Sequence, residues 1–245
     1  MQLEGHVIVI TGASRGLGAG MAEWFAAHGA RLGLCARTEP TAPAGSTALT
    51  AAVDVTDPAA VAAFGQRVAA ELGTPSMWVN NAGILEPVVA QRDLTWSALS
   101  GHFAVNVGGV LHGTQTFLTL LRAAGRTGHL VNIGSGASLA GRAGWSAYCA
   151  GKAAVDRLTE TVAIEEADVL TAAWSVAPGL VDTAMQELIR SMDETQLPSV
   201  EWFREQKRAG TMTRPSWVAE TLAGWAYGDL DAPPNGFARI PTDPH

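Results

Sequence analysis

Tyr148 and Lys152 stand four residues apart in GWSAYCAGKAA, residues 144–154, and Tyr148 is one of only two tyrosines in the chain. On a helix, positions i and i+4 share a face, so this spacing brings a phenol beside an ammonium. A free phenol has a pKa of about 10, a poor match for proton transfer at neutral pH. A neighbouring cation favours the phenolate and lowers that value, which would make the pair a tuned proton donor. The same spacing also fits an amphipathic helix with a packed tyrosine or a solvated lysine. The elements around the pair have to decide between these readings.

A second chemical stretch lies upstream. TGASRGLG, residues 11–18, spaces Gly12, Gly16 and Gly18 as G-x-x-x-G-x-G, directly after the apolar run HVIVI and before an amphipathic segment. A glycine at the end of a strand permits a tight turn. Glycines near a helix start let the backbone approach a pyrophosphate, and the helix N-terminus offers free N–H groups. An ordinary βα turn is the alternative. The second strand then ends Cys35-Ala36-Arg37, and no acid follows until Glu39. An Asp or Glu about 20 residues on is the usual partner for the ribose hydroxyls of NAD. Arg37 and Arg15 instead suit a 2′-phosphate, so the sequence predicts NADP(H).

These residues need a scaffold. Strand-like runs at His6–Ile10, Arg31–Ala36, Ala51–Val55, Ser76–Val79, His129–Ile133, Thr171–Ala177 and Gly236–Ile240 alternate with helix-period segments. The helices are expected at Leu17–His28, Pro58–Leu72, Thr95–Ala124, Ala147–Ala167 and Pro215–Gly228. Such alternation predicts an α/β fold, with a mostly parallel sheet and helices on both faces. No repeat or linker divides the 245 residues, so one domain is expected, with a helical lid or insertion at 183–214. Hydrophobic residues at 47% and charged residues at 16% fit a buried sheet. The net charge of −7, without a basic run, argues against nucleic acid as partner. No apolar stretch is long enough to span a membrane, and the N-terminal residues lack a signal-peptide pattern. Cys35 and Cys149 read as free thiols of a reducing, cytoplasmic compartment. No metal site is assigned.

Taken together, TGASRGLG, DVTD at 54–57, NNAG at 80–83, Asn106 in FAVNVGG, Ser135 in VNIGSGAS, YCAGK at 148–152 and PGLVDT at 178–183 resemble the short-chain dehydrogenases/reductases in order and spacing. YCAGKAA, the AIEE after it and PGLVDTAMQ look most like the sepiapterin reductases and bacterial benzil and diketone reductases of that family. The resemblance implies a single Rossmann-type doubly wound domain with strand order 3-2-1-4-5-6-7. It implies Ser135, Tyr148, Lys152 and Asn106 as the catalytic set. Ser135 is preferred to Ser138 because the family serine usually lies 13 residues before the tyrosine. Lys152 would also bind the nicotinamide ribose, and Asn106 would hold a water linking Lys152 to solvent. Gly12, Ser14, Arg15, Gly16, Leu17 and Gly18 would face the phosphates. Asp54 and Val55 would flank the adenine, although Asp54 could equally cap a helix. Asn81, Ala82 and Gly83 would pass close to the cofactor. Pro178, Gly179, Val181 and Thr183 would contact its nicotinamide end.

The expected activity is NADPH-dependent reduction of small aromatic or vicinal diketones and related ketones. Its alternatives are 3-oxoacyl-carrier-protein reduction and non-catalytic cofactor sensing. Leu85, Trp145, Met185 and Trp202 are expected to line the substrate pocket, although Trp202 and Phe203 could instead pack a lid or dimer contact. A sepiapterin reductase grips its pterin with an acid near the last strand. Ile240 falls at that position here, which speaks against a pterin. Residues 38–50 hold prolines and a glycine where many relatives carry a helix. Family likeness also implies a homodimer or homotetramer through the helices at about 102–124 and 149–167.

Overall fold

Short, wholly buried apolar runs form the centre of the molecule, a computed structural model that describes residues 1–228 and 230–244. The strands are β1 (Val7–Thr11), β2 (Arg31–Ala36), β3 (Ala48–Ala52), β4 (Met77–Asn80), β5 (Gly128–Ile133), β6 (Leu170–Ala177) and β7 (Gly236–Arg239). They make one sheet in the order β3-β2-β1-β4-β5-β6-β7, and every neighbouring pair is parallel. Every residue of β1, β4 and β5 is buried, as expected where helices cover both faces of a parallel sheet.

The helices are α1 (Gly16–Ala27), α2 (Pro58–Glu71), α3 (Trp96–Phe103), α4 (Gly109–Ala124), α5 (Ser146–Glu165), α6 (Ala184–Ser191), α7 (Val200–Arg208) and α8 (Pro215–Tyr227). One face of the sheet packs on α1 and α8 through Met21, Phe25, Val218 and Leu222. The other packs on α2 and α4 through Phe64, Val68, Phe117 and Leu121. α2 begins at Pro58, with the Asp57 carboxylate accepting from the N–H groups of Ala59 and Ala60. None of the described helices is long and apolar enough to cross a membrane.

Two expectations need correction. The third strand lies at Ala48–Ala52, not Ala51–Val55, in register with Leu32–Ala36 of β2. Val53 makes a last backbone bond to the Ala36 carbonyl, and Val53 and Val55 beyond the strand cover the α2 side of the core. The helix expected over Thr95–Ala124 contains a π-helical stretch, Ala104–Gly108, between α3 and α4. A π-bulge inserts an extra residue into the turn, and this one carries Asn106.

Beside the ladder, His6 Nδ1 lies 3.1 Å from Ser76 Oγ, which lies 2.8 Å from the Tyr227 hydroxyl. The His129 ring stands edge-on to Tyr227, and its Nδ1 is buried without a hydrogen-bond partner. Burial holds both imidazoles below their ordinary value. The unfolded chain binds protons near pH ~6.5, whereas the fold resists them, so stability is full above that pH and falls below it. The urea midpoint should therefore hold steady between about pH 7 and 8 and decline below about 6.5. His129→Gln should make that decline shallower; an unchanged slope would remove His129 as a cause.

Candidate active site

β1 and β4 are neighbours although β2 and β3 intervene in the chain, so the crossovers part between them and leave a crevice beyond their C-terminal ends. A polar clamp fixes this point. Thr11 Oγ1 accepts from the N–H groups of Asn81 and Ala82, and the Asn81 amide donates to the Thr11 and Gly12 carbonyls. Gly12 and Gly16 have positive φ values of 67° and 58°, which only glycine adopts without strain. A Cβ on Gly12 would lie 2.8 Å from Ala82 Cα. Gly18 does not line the crevice, contrary to expectation. It serves packing, since a Cβ there would lie 2.5 Å from the Gly12 carbonyl oxygen.

The crevice opens into a cleft of about 590 Å³. Ser14, Arg15, Gly16 and Leu17 wall it at the glycine turn, Arg37, Asp54 and Val55 at the far edge, and Asn81, Ala82 and Gly83 along its floor. Pro178, Gly179, Val181 and Thr183 close the other end near Tyr148 and Lys152. A long, backbone-lined cleft against a helix N-terminus fits a dinucleotide. Arg15 and Arg37 are exposed and form no ion pair among the described residues. Glu39 is turned away, accepting a 2.7 Å bond from Thr50. Asp54 closes a turn by accepting from the backbone N–H and hydroxyl of Thr56, bonds that lower its pKa. The helix cap is Asp57 instead.

Tyr148 and Lys152 lie on the buried face of α5. Lys152 Nζ donates to the Ile133 carbonyl at 2.6 Å and lies 5.7 Å from the Tyr148 ring centre. Burial pushes the ammonium down to about 8, and the Asp156 carboxylate resists that fall. Burial also raises the phenol, with the Ser135 hydroxyl drawing it back. Desolvation thus outweighs the Ser135 hydrogen bond, and the phenol is raised, rather than lowered as the spacing predicts. Ser135, at the end of β5, accepts from the N–H of Ala137.

The Asn106 side chain is held by the Ile84 backbone and by His102. Its Oδ1 accepts from the Ile84 N–H, and its Nδ2 donates to the Ile84 carbonyl and contacts His102 Nε2 at 2.6 Å. His102 Nδ1 in turn lies 2.7 Å from the Glu86 carbonyl, and burial lowers the ring's pKa. His102 and Asp156 were not singled out from the sequence. Their signal was present in the i+4 spacings His102–Asn106 and Lys152–Asp156.

A smaller cavity of about 170 Å³ adjoins Tyr148 and Ser135. Leu85, Trp145, Met185 and Trp202 all line it. α6 and α7 roof it, with Ile189 and Phe203 buried against Trp145 and Leu85. Phe203 is therefore a contact between this roof and the body, whereas Trp202 is 45% exposed at the rim. Gln186 and Arg142, from the loop and lid segments expected to form the pocket, also line the cavity, and Arg239 joins them from outside those segments.

A family model described as short chain dehydrogenase matches residues 6–194. Among curated proteins, a benzil reductase ((S)-benzoin forming) of Bacillus subtilis is 32% identical over 146 residues, covering 59% of this chain and 60% of that protein. The chain thus matches less than two thirds of that relative's length. A sorbitol dehydrogenase of Cereibacter sphaeroides is 35% identical over 242 residues, covering 92% of this chain and 90% of that protein. Among solved structures, the KRED1-Pglu enzyme superposes with a TM-score of 0.84 at 29% identity, covering 95% of this chain and all of that one.

The buried Lys152–Asp156 spacing makes a prediction independent of any activity. NMR titration of the Lys152 side chain should give a midpoint near 8 in the native protein. Asp156→Asn removes the charge that resists deprotonation, so the midpoint should fall further. An unchanged midpoint would show that the carboxylate does not hold the cation.

Proposed function

Because this chain belongs to the short-chain dehydrogenase family, whose members use nicotinamide nucleotides, we propose that it is an NADPH-dependent carbonyl reductase. The observation that carries the cofactor choice is the pair of exposed guanidinium groups, Arg15 and Arg37, on the cleft where an NAD site would place an acid. Guanidinium forks match phosphate oxygens, and the next acid along the chain after β2, Glu39, is held by Thr50.

A nicotinamide nucleotide held in the cleft would supply hydride chemistry for the carbonyl carbon. The residues of this chain then have three tasks. The Ser135 hydroxyl, fixed at the end of β5 beside the cavity, holds the carbonyl oxygen as charge develops on it. The Tyr148 hydroxyl, kept protonated by burial, gives that oxygen its proton. Lys152 stabilises the phenolate left behind and shares the inner end of the cleft with the ribose it would bind. α6 and α7 act as a lid that keeps water from the reacting carbonyl. The apolar, aromatic lining suits aryl ketones and vicinal diketones.

Tyr148→Phe should abolish NADPH oxidation with a ketone panel of benzil, diacetyl and phenylpropanedione while NADPH still binds. A variant that kept most of the rate would refute the proton-donor role. Arg37→Asp should weaken NADPH binding by about tenfold or more, roughly 1.4 kcal/mol, and raise the relative use of NADH. Equal preference before and after the change would refute the assignment to NADP(H). In the native enzyme, kcat/KM for reduction should fall on the alkaline side as Lys152 loses its proton near 8.

A further inference from the structure

The cavity beside Ser135 and Tyr148 is apolar in most of its lining yet contains two arginines and no acidic residue. That runs against the composition of the chain, which has 23 acids to 16 basic residues. Most of its arginines are neutralised by surface carboxylates, as Arg122 is by Glu166 and Asp168. Arg15, Arg31, Arg37, Arg126, Arg142 and Arg239 form no close ion pair among the described residues, although Arg37 acts on the Asp54 carboxylate from further away. Four of them, Arg15, Arg37, Arg142 and Arg239, line the cleft or its adjoining cavity.

Their placement is specific. Arg239, the last residue of β7, holds its guanidinium nitrogens 3.4 and 3.9 Å from the point a Cβ on Gly136 would occupy. Gly136 directly follows Ser135, and the exposed Arg239 and Arg142 share the wall of the same cavity with that serine. Arg142 lies across the Trp145 ring, with Cζ 5.8 Å from the ring centre. Trp145 is 5% exposed, and its Nε1 has no hydrogen-bond partner. An indole N–H can only donate, and leaving it buried and unpaired costs about 1–3 kcal/mol.

We infer that the substrate is a ketone carrying a carboxylate close to its carbonyl, held by Arg239 and Arg142 while the apolar wall takes its aryl or alkyl part. The planar guanidinium fork matches a carboxylate, and a cavity of about 170 Å³ leaves little space for a bulkier anion. This substrate class presupposes the reductase chemistry proposed above, whereas the anion site itself can be measured without turnover.

Calorimetric titration of the NADP-loaded full chain with benzoate and with benzamide compares a charged and a neutral ligand of one shape. Benzoate should bind about tenfold more tightly at low salt, and the advantage should shrink as salt screens it. Arg239→Gln should bring the benzoate-to-benzamide ratio close to one, and Arg239→Lys should restore part of it. Arg142→Gln gives the same comparison should the Arg239 variants fail to fold. Equal binding of the two ligands, no binding of either, or a ratio unmoved by both glutamine variants would overturn the inference. Tighter binding of phenyl phosphate than of benzoate would overturn the carboxylate in favour of a phosphate. In a parallel NADPH assay, phenylglyoxylate should be preferred to 1-phenylpropane-1,2-dione. Failure of both ketones to turn over would refute the reductase proposal while leaving the binding ratio to decide the anion site.

Discussion

An ammonium withdrawn from water sits at the centre of this structure, and its partners come from separate parts of the fold. Burying a lone cation costs several kcal/mol, on the order of what whole domains have to spare. Lys152 offsets that cost with the Ile133 carbonyl at the end of β5 and with the Asp156 carboxylate one turn along α5. Asp156 in turn accepts from the Ser175 hydroxyl on β6. Sliding or rotating α5 would strand at least one of these groups without a partner. The position of Tyr148 on the same face, next to Ser135, follows from that constraint.

The sheet supplies the matching rigidity. Asn80 donates to Asn132 on the neighbouring strand, and Asn132 donates to Thr159 of α5, so a line of buried amides crosses from β4 to the helix that carries Tyr148. The Thr11–Asn81 clamp sets the width of the crevice between β1 and β4. Buried polar groups of this kind are tolerable only when each finds a partner. Here they link the cleft floor, the phenol and the ammonium into one framework. The roof over the smaller cavity is held differently. Arg204 of α7 donates to the Arg190 and Met192 carbonyls, and Asp182 pairs with Arg190 and Lys207. Of these, only the Lys207–Asp182 pair is open to solvent at both ends and contributes little, whereas the Arg190 side chain is largely buried.

Most of the fold was legible in the sequence because a doubly wound sheet leaves a plain signature. Its central strands, such as HVIVI and HLVNI, are short apolar runs, and its helices carry caps and breakers such as Asp57-Pro58 and Gly29. The edges were less legible. Val53 and Val55 have the composition of a strand but are used as core cover, a choice made by the register of β2. The π-helical stretch at Ala104–Gly108 has no pattern of its own, because it depends on Asn106 reaching the Ile84 backbone 22 residues away.

By itself the sequence determined the order of the strands and helices, the glycine turn, the absence of an acid after β2 and the shared face of Tyr148 and Lys152. All of these rest on neighbours within a few residues of one another. The tertiary structure alone decided the charge states and the company each group keeps. Whether the phenol is raised and the ammonium lowered depends on how much water the packed sheet excludes, and here burial is the largest cause of both shifts. Whether Arg239 reaches the cavity that Ser135 and Gly136 line depends on β7 pairing with β6 at the edge of the sheet. Such long-range placements combine residues more than a hundred positions apart, and no local pattern carries them.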